Sequence, residues 1–319
     1  MFSIEYFQEQ VEQALGSLQY PSTAPRLYGP IRYTLQGGGK RIRPVLLLAC
    51  AASFGMKPQE VMNQALGVEM FHNFTLLHDD VMDNASVRRG RPTVHKRWGT
   101  PAAILSGDAM LTMATQLVAA TTPDRLAEVL ALFNTTAMEI YQGQQLDMDF
   151  ESRSDVSVEE YMEMIRLKTS VLLACACRMG ALVAGADARS CDALYRYGER
   201  LGLAFQLQDD YLDTYGDPAV FGKEIGGDIV NEKKTWLWIN AMAEEGMRMN
   251  DVIDRNLTDY RKIDEVKAIY NELHLPQRSH ELIRRYASEA IAALDDAALA
   301  PEPKQFFNGL ALKLIDRTN

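Results

Sequence analysis

The sequence has few of the features that mark disulfide-stapled or multidomain proteins. Its 319 residues include four cysteines, and none of them forms a C-x-x-C pair. Cys50, Cys175 and Cys177 lie in small apolar runs, where a cysteine usually serves as a small buried hydrophobic residue. This usage suits a reducing cytoplasm. Linkers rich in proline, glycine or serine are also missing, so we expect one domain over residues 1–319.

Positive charge and long apolar runs are scarce as well. The chain carries 33 Lys and Arg against 43 Asp and Glu, a net charge of −10, which argues against a nucleic-acid partner. Residues 1–18 lack the basic start of a signal peptide, and the longest apolar run, residues 45–54, is too short to span a bilayer. We therefore expect a cytoplasmic protein without a membrane span. Such an acidic protein must bind any polyanion through metal ions and a local cluster of basic residues.

Strand signals are the last notable absence. Alternating runs of Val, Ile and Thr are scarce, while the helix formers Ala, Leu, Met, Glu and Gln dominate, so the predicted fold class is all-α. Helices are predicted over residues 3–18, 27–35, 45–54, 58–83, 101–120, 123–150, 158–184 and 187–213, with three or four more after residue 236. Residues 84–99 are predicted to form a loop. Residues 221–229 are predicted to form a glycine-containing lid that orders when substrate binds.

Two acidic motifs of the form Asp-Asp-x-x-Asp end two of the predicted helices. Their residues are Asp79, Asp80 and Asp83, and Asp209, Asp210 and Asp213. The first and last Asp of each motif share a helix face, where they repel each other, and the C-terminal turn of a helix disfavours anions. A single copy could be a solvated acidic helix end. Two copies, each preceded by apolar turns, favour carboxylates that hold Mg²⁺ together with water and substrate phosphates.

Two basic motifs accompany the acidic ones. The segment GGKRIRP covers residues 38–44, and the segment RRGRPT covers residues 88–93. Glycines let the backbone approach a ligand closely, and guanidinium groups bind phosphate oxygens in pairs. By themselves, these segments could equally be a glycine hinge with a solvated basic turn and a group of arginines that balance the acidic charge.

In this order, the four motifs resemble the trans-isoprenyl diphosphate synthases, over residues 30–240. The resemblance implies a bundle of long antiparallel helices around a central active-site cavity. It also implies the head-to-tail condensation of isopentenyl diphosphate with an allylic diphosphate, such as dimethylallyl, geranyl or farnesyl diphosphate. The implied cofactor is Mg²⁺, about three ions per active site, with Mn²⁺ as a substitute. A homodimer is implied as well.

The resemblance also assigns roles to single residues. The six aspartates would hold the metals, with Asp79, Asp83 and Asp209 as the main ligands. The residues that would bind isopentenyl diphosphate are Lys40, Arg43, His72 and Arg89. Those that would bind the allylic diphosphate are Arg88, Lys168, Lys223 and Lys233. Thr169 and Gln206 would present oxygen dipoles to the allylic cation, and residues 142–147 would lie behind the active site.

Product length is expected to depend on side chains one or two turns before the first acidic motif. Phe71, Phe74 and Thr75 occupy those turns, and a bulky ring there should block a long prenyl tail. In the resembled family, an aromatic residue five positions before the first Asp, here Phe74, is typical of short-chain enzymes. Many bacterial short-chain enzymes also carry two extra residues inside the first motif, which this chain lacks. The choice between farnesyl and geranylgeranyl diphosphate therefore stays open.

Three alternatives remain at this point. A synthase of long polyprenyl chains for quinones is disfavoured by Phe74. A class I terpene cyclase is disfavoured because the second metal motif is Asp-Asp-x-x-Asp rather than an Asn/Asp-x-x-Ser/Thr-x-x-x-Glu pattern. A non-catalytic partner subunit is disfavoured because both sets of aspartates are intact.

Overall fold

Helices make up nearly all of the computed structural model, which describes residues 2–217, 225–255 and 257–315. The helices are α1 (Ile4–Gly16), α2 (Pro25–Leu35), α3 (Ile42–Ser53), α4 (Met62–Met82), α5 (Val94–Trp98), α6 (Thr100–Val118), α7 (Pro123–Glu151), α8 (Val158–Ile165), α9 (Val171–Val183), α10 (Ala188–Tyr215), α11 (Gly227–Val230), α12 (Trp236–Asp254), α13 (Asp259–Glu272), α14 (Leu275–Ala293) and α15 (Pro301–Ile315). Within the described residues, the only sheet is the antiparallel pair β1 (Val87–Arg88) and β2 (Arg91–Pro92). The predicted all-α class is confirmed.

The helices are grouped into two compact units. The first unit comprises Met1–Thr136, Leu172–Tyr195 and Leu294–Phe306, and the second comprises Ala137–Val171, Arg196–Ala293 and Phe307–Asn319. The first acidic motif therefore belongs to the first unit, and the second acidic motif belongs to the second. The expectation of one domain over residues 1–319 stays a prediction.

Each unit has its own helical core. In the first unit, α3 and α4 are buried along most of their length: Val45–Ala51 is wholly apolar, and residues 64–71 are buried with only Gln64 and Glu69 polar. In the second unit, the core consists of the apolar faces of α8, α10, α12, α13 and α14. In each case one long helix passes through a core and ends in an acidic motif.

The structure corrects several predicted boundaries. Helix α3 begins at Ile42 rather than at residue 45, and a short 3₁₀ turn at Pro58–Glu60 precedes α4. The predicted loop over residues 84–99 contains the β1–β2 hairpin and α5. These elements are too short to produce a detectable sequence period.

Two further corrections concern segments of the second unit. The predicted continuous helix over residues 158–184 is interrupted by a π-helical turn, Arg166–Ser170. Single π turns inside α-helices are frequent at functional sites. The loop predicted over residues 221–229 is wrong for residues 227–229, which belong to α11, and residues 221–224 lie outside the described residues. The role of this segment as a lid stays a prediction.

Among the helices described in the structure, none is both long enough and apolar enough to cross a membrane.

Candidate active site

The first acidic motif lies on the last turn of α4, next to the β1–β2 hairpin. Arg88 donates from Nε to Asp80 Oδ1 over 2.6 Å and from Nη2 to Asp79 Oδ2 over 3.2 Å. Asp80 is only 5% exposed, and burial raises the pKa of its carboxyl although the charge of Arg88 opposes that shift. Asp83 ends α4 and is exposed. The motif thus presents two aspartates that share one guanidinium and a third that faces solvent.

The hairpin turn places two consecutive arginines. Arg89 and Gly90 occupy the turn with φ values of 51° and 70°, and a two-residue hairpin of type I′ requires positive φ at both positions. Arg88 contacts the aspartates, while Arg89 donates a hydrogen bond to the carbonyl oxygen of Gly38. A Cβ on Gly39 would lie 3.1 Å from the Arg89 guanidinium carbon, so Gly39 makes room for this arginine.

Two of the residues predicted to bind isopentenyl diphosphate, Arg43 and His72, are in contact although they lie far apart in sequence. Arg43 Nη1 lies 3.2 Å from His72 Nε2, and Lys40 has an exposed side chain next to Gly39. Burial, and then the charges of Arg43 and Arg89, hold the pKa of His72 well below its usual value. His72 is therefore neutral and can accept a hydrogen bond from Arg43.

A cavity of about 40 Å³ lies beside the hairpin in the first unit. The polar and charged residues that line it include Asn73, Asp80, Arg88 and Arg89. All three arginines of the second basic motif, Arg88, Arg89 and Arg91, and one aspartate of the first acidic motif therefore border one small cavity.

Arg41, in the middle of the first basic motif, was not predicted to have a role. It is 4% exposed, adopts a left-handed conformation with φ of 48°, and precedes α3. Its guanidinium lies 2.7 Å from both Glu12 and Glu69, and it donates to the carbonyl of Leu35. The buried Glu69 in the apolar helix α4 is the sequence signal that could have revealed this ion pair, because a buried carboxylate needs a partner.

The side chains predicted to limit product length form an aromatic cluster below the first acidic motif. The rings of Phe71 and Phe74 are 5.4 Å apart, and Phe74 also contacts His78 at 4.8 Å. Phe71 is fully buried and Phe74 is 6% exposed. Thr75 donates its hydroxyl to the backbone carbonyl of His72 over 2.8 Å. His78 was expected to be structural, and its Nε2 indeed lies 3.1 Å from the carbonyl oxygen of Ile104.

In the second unit, the π-helical turn presents Lys168 and Thr169. Lys168 Nζ lies 2.5 Å from Asp147 Oδ2 on α7, so the anion that sequence reasoning required for a buried lysine is this carboxylate. A Cβ on Gly143 would lie 2.3 Å from the Lys168 backbone nitrogen, which shows how closely α7 approaches the turn. Burial opposes ionisation of Asp147, but the charges of Lys233 and Lys168 outweigh it and lower its pKa.

Thr169 belongs to a chain of four hydrogen-bonded side chains. Thr169 donates to Gln206 Oε1 over 2.9 Å, and Gln206 Nε2 donates to Asp210 Oδ1 over 2.8 Å. Tyr161 donates to Asp210 Oδ2 over 2.5 Å. We call Tyr161, Thr169, Gln206 and Asp210 the anchor network. Sequence reasoning named three of its members but missed Tyr161, which has no motif signal.

Burial and the neighbouring polar groups have opposite effects on the pKa of Asp210. Burial raises its pKa to about 6, although the hydrogen bonds from Tyr161 and Gln206 and the charge of Lys233 lower it. Burial and the neighbouring Asp210 raise the pKa of Tyr161 well above its usual value, so the phenol keeps its proton and donates it. Asp210 is therefore an acceptor of two hydrogen bonds at neutral pH.

The other predicted residues of the second unit are placed as follows. Asp213 Oδ2 accepts the backbone N–H of Asp228 over 2.9 Å and so holds the start of α11. Asp209 is partly buried one residue before Asp210 on α10, and Lys233 is exposed. Lys223 lies outside the described residues. His280, expected at the surface, is partly buried with its ring 4.2 Å from that of Tyr211.

The donor groups fit a hard cation with few protein ligands. In the described part of the chain, no three His, Cys, Asp or Glu side chains form a group that could enclose a metal ion. Each acidic motif instead offers a small number of carboxylate oxygens, which are hard ligands. Mg²⁺ commonly takes one or two protein carboxylates and completes its shell with water and phosphate oxygens. The aspartates therefore fit Mg²⁺ better than a metal that needs an all-protein cage.

Comparisons with known proteins agree on one family. Residues 24–273 match the family model described as polyprenyl synthetase. The chain is 39% identical over 272 residues to the geranylgeranyl diphosphate synthase of Methanosarcina mazei, covering 81% of this chain and 83% of that protein. It is 41% identical over 286 residues to the (2E,6E)-farnesyl diphosphate synthase of Mycobacterium bovis, covering 88% and 80%. A crystal structure of a geranylgeranyl pyrophosphate synthase matches 100% of both chains at 41% identity, with a TM-score of 0.95.

Proposed function

The chain belongs to the polyprenyl synthetase family, and we propose that it is a short-chain isoprenyl diphosphate synthase. It is a prenyltransferase. The proposed reaction joins isopentenyl diphosphate head to tail to an allylic diphosphate and yields farnesyl or geranylgeranyl diphosphate. The observation that carries the proposal is the similarity to relatives named for these two products along most of the chain.

We assign the isopentenyl diphosphate to the basic residues of the first unit. Lys40, Arg43 and Arg89 supply positive charge, and neutral His72 orients Arg43 by accepting its hydrogen bond. Guanidinium groups suit diphosphate oxygens because they donate two parallel hydrogen bonds. The position of Arg89 against Gly38 and Gly39 supports this assignment, because it brings an arginine of the second basic motif to the glycines of the first.

We assign the allylic diphosphate to Arg88, Lys168, Lys233 and Lys223. When its C–O bond breaks, these cations stabilise the negative charge that develops on the leaving diphosphate. Thr169 and Gln206 present oxygen atoms to the allylic cation. The double bond of isopentenyl diphosphate then attacks that cation, and the proton lost afterwards goes to the departing diphosphate.

Prenyl diphosphate synthases are generally metal-dependent, and Mg²⁺ is the proposed cofactor, about three ions per active site with Mn²⁺ as a substitute. Asp79, Asp83 and Asp209 would hold it, with Asp80, Asp210 and Asp213 in support. Bound Mg²⁺ supplies positive charge that neutralises the diphosphate. The apolar helix walls exclude water, which would otherwise capture the cation.

Phe74 supports the short-chain assignment. Its ring is buried one turn and a half before Asp79 and packs against Phe71 and His78. A prenyl tail that reached this cluster would stop there.

We further propose a homodimer and a cytoplasmic location. Ile104 and Leu105 on α6 are 45% and 60% exposed, and adjacent exposed large apolar side chains are typical of protein interfaces. The substitution Leu105→Glu should convert a dimer to a monomer in light scattering. The cytoplasmic location is supported by the four buried cysteines, none of which forms a disulfide.

Product analysis tests the proposed function. Purified protein is incubated with Mg²⁺, isopentenyl diphosphate and, separately, dimethylallyl, geranyl or farnesyl diphosphate, and the products are sized by chromatography. We expect chains that stop at fifteen or twenty carbons, and no product from Asp79→Asn. Chains of forty carbons or more would contradict the short-chain assignment, and a cyclised hydrocarbon without condensation would identify a terpene cyclase instead.

A further inference from the structure

In the anchor network of the second unit, the hydrogen bonds all donate toward Asp210 along the chain of side chains. The assigned roles of Thr169 and Gln206 do not explain this. Each of its hydrogen bonds has one donor and one acceptor: Tyr161 and Gln206 donate to Asp210, and Thr169 donates to Gln206. The chain therefore ends at a carboxylate. All of its protons point along the chain toward Asp210.

The carboxylate sets this direction because an ionised carboxylate accepts hydrogen bonds and cannot donate them. Both Asp210 oxygens have a donor, the Tyr161 hydroxyl at 2.5 Å and the Gln206 amide at 2.8 Å. Gln206 must accordingly turn its NH₂ toward Asp210 and its carbonyl oxygen toward Thr169. The Thr169 hydroxyl donates its single proton to that oxygen. Both residues are left with oxygen lone pairs for any further neighbour.

We propose that Tyr161 and Asp210 are positioning residues that anchor Gln206 so that it presents oxygen lone pairs, and no proton, to the allylic cation. This inference rests on the proposed function. An amide rotated by 180° would present NH₂ instead, and its positive end would oppose the developing cation. Fixed dipoles that need no reorganisation are the most effective electrostatic stabilisers of a charged transition state.

The arrangement also gives a reason why the Asp210 carboxylate acts on the reacting carbon through Gln206 and not by direct contact. A carboxylate in contact with an allylic cation could form an ester with it and trap the intermediate. In the anchor network, the charge of Asp210 acts through Gln206, and a charged acceptor at one end of a hydrogen-bonded chain strengthens the dipoles along it. The cation then meets neutral oxygens whose negative ends are reinforced by Asp210.

Tyr161 provides the rigid end of the network. It is 1% exposed, its ring is part of the core of the second unit, and its phenol keeps its proton. A fully packed aromatic side chain cannot change rotamer without disturbing its neighbours. Because its hydroxyl occupies the second Asp210 oxygen, Asp210 keeps the orientation that the Gln206 amide requires.

The test compares the binding of two geranyl diphosphate analogues to the Mg²⁺-loaded enzyme by calorimetry. One carries a protonated amine at the position of the cation, and in the other the prenyl chain is uncharged and the diphosphate is unchanged. Both carry the same diphosphate, so the ratio of their dissociation constants cancels metal and phosphate contacts. The variant is Tyr161→Phe/Asp210→Leu, since replacing both hydrogen-bond partners with apolar groups of similar shape preserves packing. We expect the preference for the ammonium analogue to fall about tenfold.

Three controls accompany the double variant. Tyr197→Phe removes another buried hydroxyl, which donates to the Phe307 carbonyl over 2.8 Å, and should leave the ratio unchanged. Asp209→Asn should weaken both analogues together. If the double variant does not fold, Asp210→Asn replaces it, and Thr169→Ser should keep the preference that Thr169→Val loses.

The outcomes separate the two proposals. An unchanged ratio in the anchor variants, or an equal loss for both analogues, would overturn the positioning role and leave Asp210 with its supporting role in metal binding alone. If the wild-type protein binds neither analogue, the proposed function itself fails, and the positioning role fails with it.

Discussion

Arg89 and Gly39 are in direct contact: the guanidinium carbon of Arg89 lies 3.1 Å from the position that a Cβ on Gly39 would occupy. Gly39 also has a φ of 136°, which L side chains rarely adopt. The two basic motifs are thus joined by a contact that only glycine permits. The turn conformation of Arg89 and the backbone of the first motif depend on each other.

Gly39→Ala should displace the Arg89 guanidinium. We expect the KM for isopentenyl diphosphate to rise about tenfold, the loss of roughly one charge-assisted contact, while the KM for geranyl diphosphate changes less than about twofold. Steady-state kinetics with each substrate varied in turn measures both values. The matched control is Gly55→Ala, which has a φ of 86° but no atom within 4 Å of its Cβ position. Equal effects of the two substitutions would mean that backbone strain, not Arg89, is responsible.

Removal of Arg88 should make the protein depend on Mg²⁺ for stability. Its guanidinium bonds to Asp79 and Asp80, which would otherwise repel each other. We expect the metal-free Arg88→Ala protein to unfold about 2–4 °C below the wild type, a shift that corresponds to about 1 kcal/mol. Added Mg²⁺ should raise its Tm by more than it raises that of the wild type.

Differential scanning calorimetry with and without EDTA measures these shifts. Arg153→Ala is the control, because Arg153 pairs with Asp155 and Glu160 rather than with an aspartate of the first acidic motif. The prediction fails if Mg²⁺ stabilises Arg88→Ala and the wild type by the same amount.

Phe74→Ala should lengthen the product. The substitution opens the aromatic cluster below Asp79 and is expected to cost about 3–5 kcal/mol of stability, so assays belong at low temperature. Product sizing should show chains at least one isoprene unit longer than those of the wild type. Met82→Ala, at the exposed end of the same helix, should leave the product unchanged. Unchanged chain length in Phe74→Ala would show that another side chain limits the tail.

The Lys168–Asp147 ion pair should make stability depend on acid pH. The pKa of Asp147 lies below its ordinary value of 3.8, so its contribution is present above pH 3.8 and is lost as the pH falls through the lowered pKa. Asp147→Asn should lower the free energy of unfolding by about 1.5–3 kcal/mol at pH 7 and by progressively less below pH 4.

Urea unfolding of both proteins between pH 7 and pH 3 measures this difference. Asp149→Asn serves as control, because Asp149 is exposed on the same helix and accepts a hydrogen bond from Gln145. A constant difference between wild type and Asp147→Asn at all pH values would contradict the linkage.

Local patterns predicted the helical class and the long helices well. Helix α10 was predicted from residue 187 to 213 and spans Ala188–Tyr215, because its apolar period continues for several turns. Short elements were missed for the opposite reason. The β1–β2 hairpin depends on positive φ at Arg89, a non-glycine residue, and no local propensity indicates that conformation.

The helical class, the two acidic and two basic motifs and the family could be predicted from the residues alone, since each of these depends on the type and spacing of residues near one another along the chain. The contact partners become known only from the packing of the helices: Asp147 for Lys168, Tyr161 for Asp210, and Gly39 for Arg89. These pairs join residues from different elements. From the sequence, a buried lysine or aspartate can be expected to need a partner, but the partner is not identified. Which partner it finds depends on how the helices pack, and that is decided by the cores of the two units.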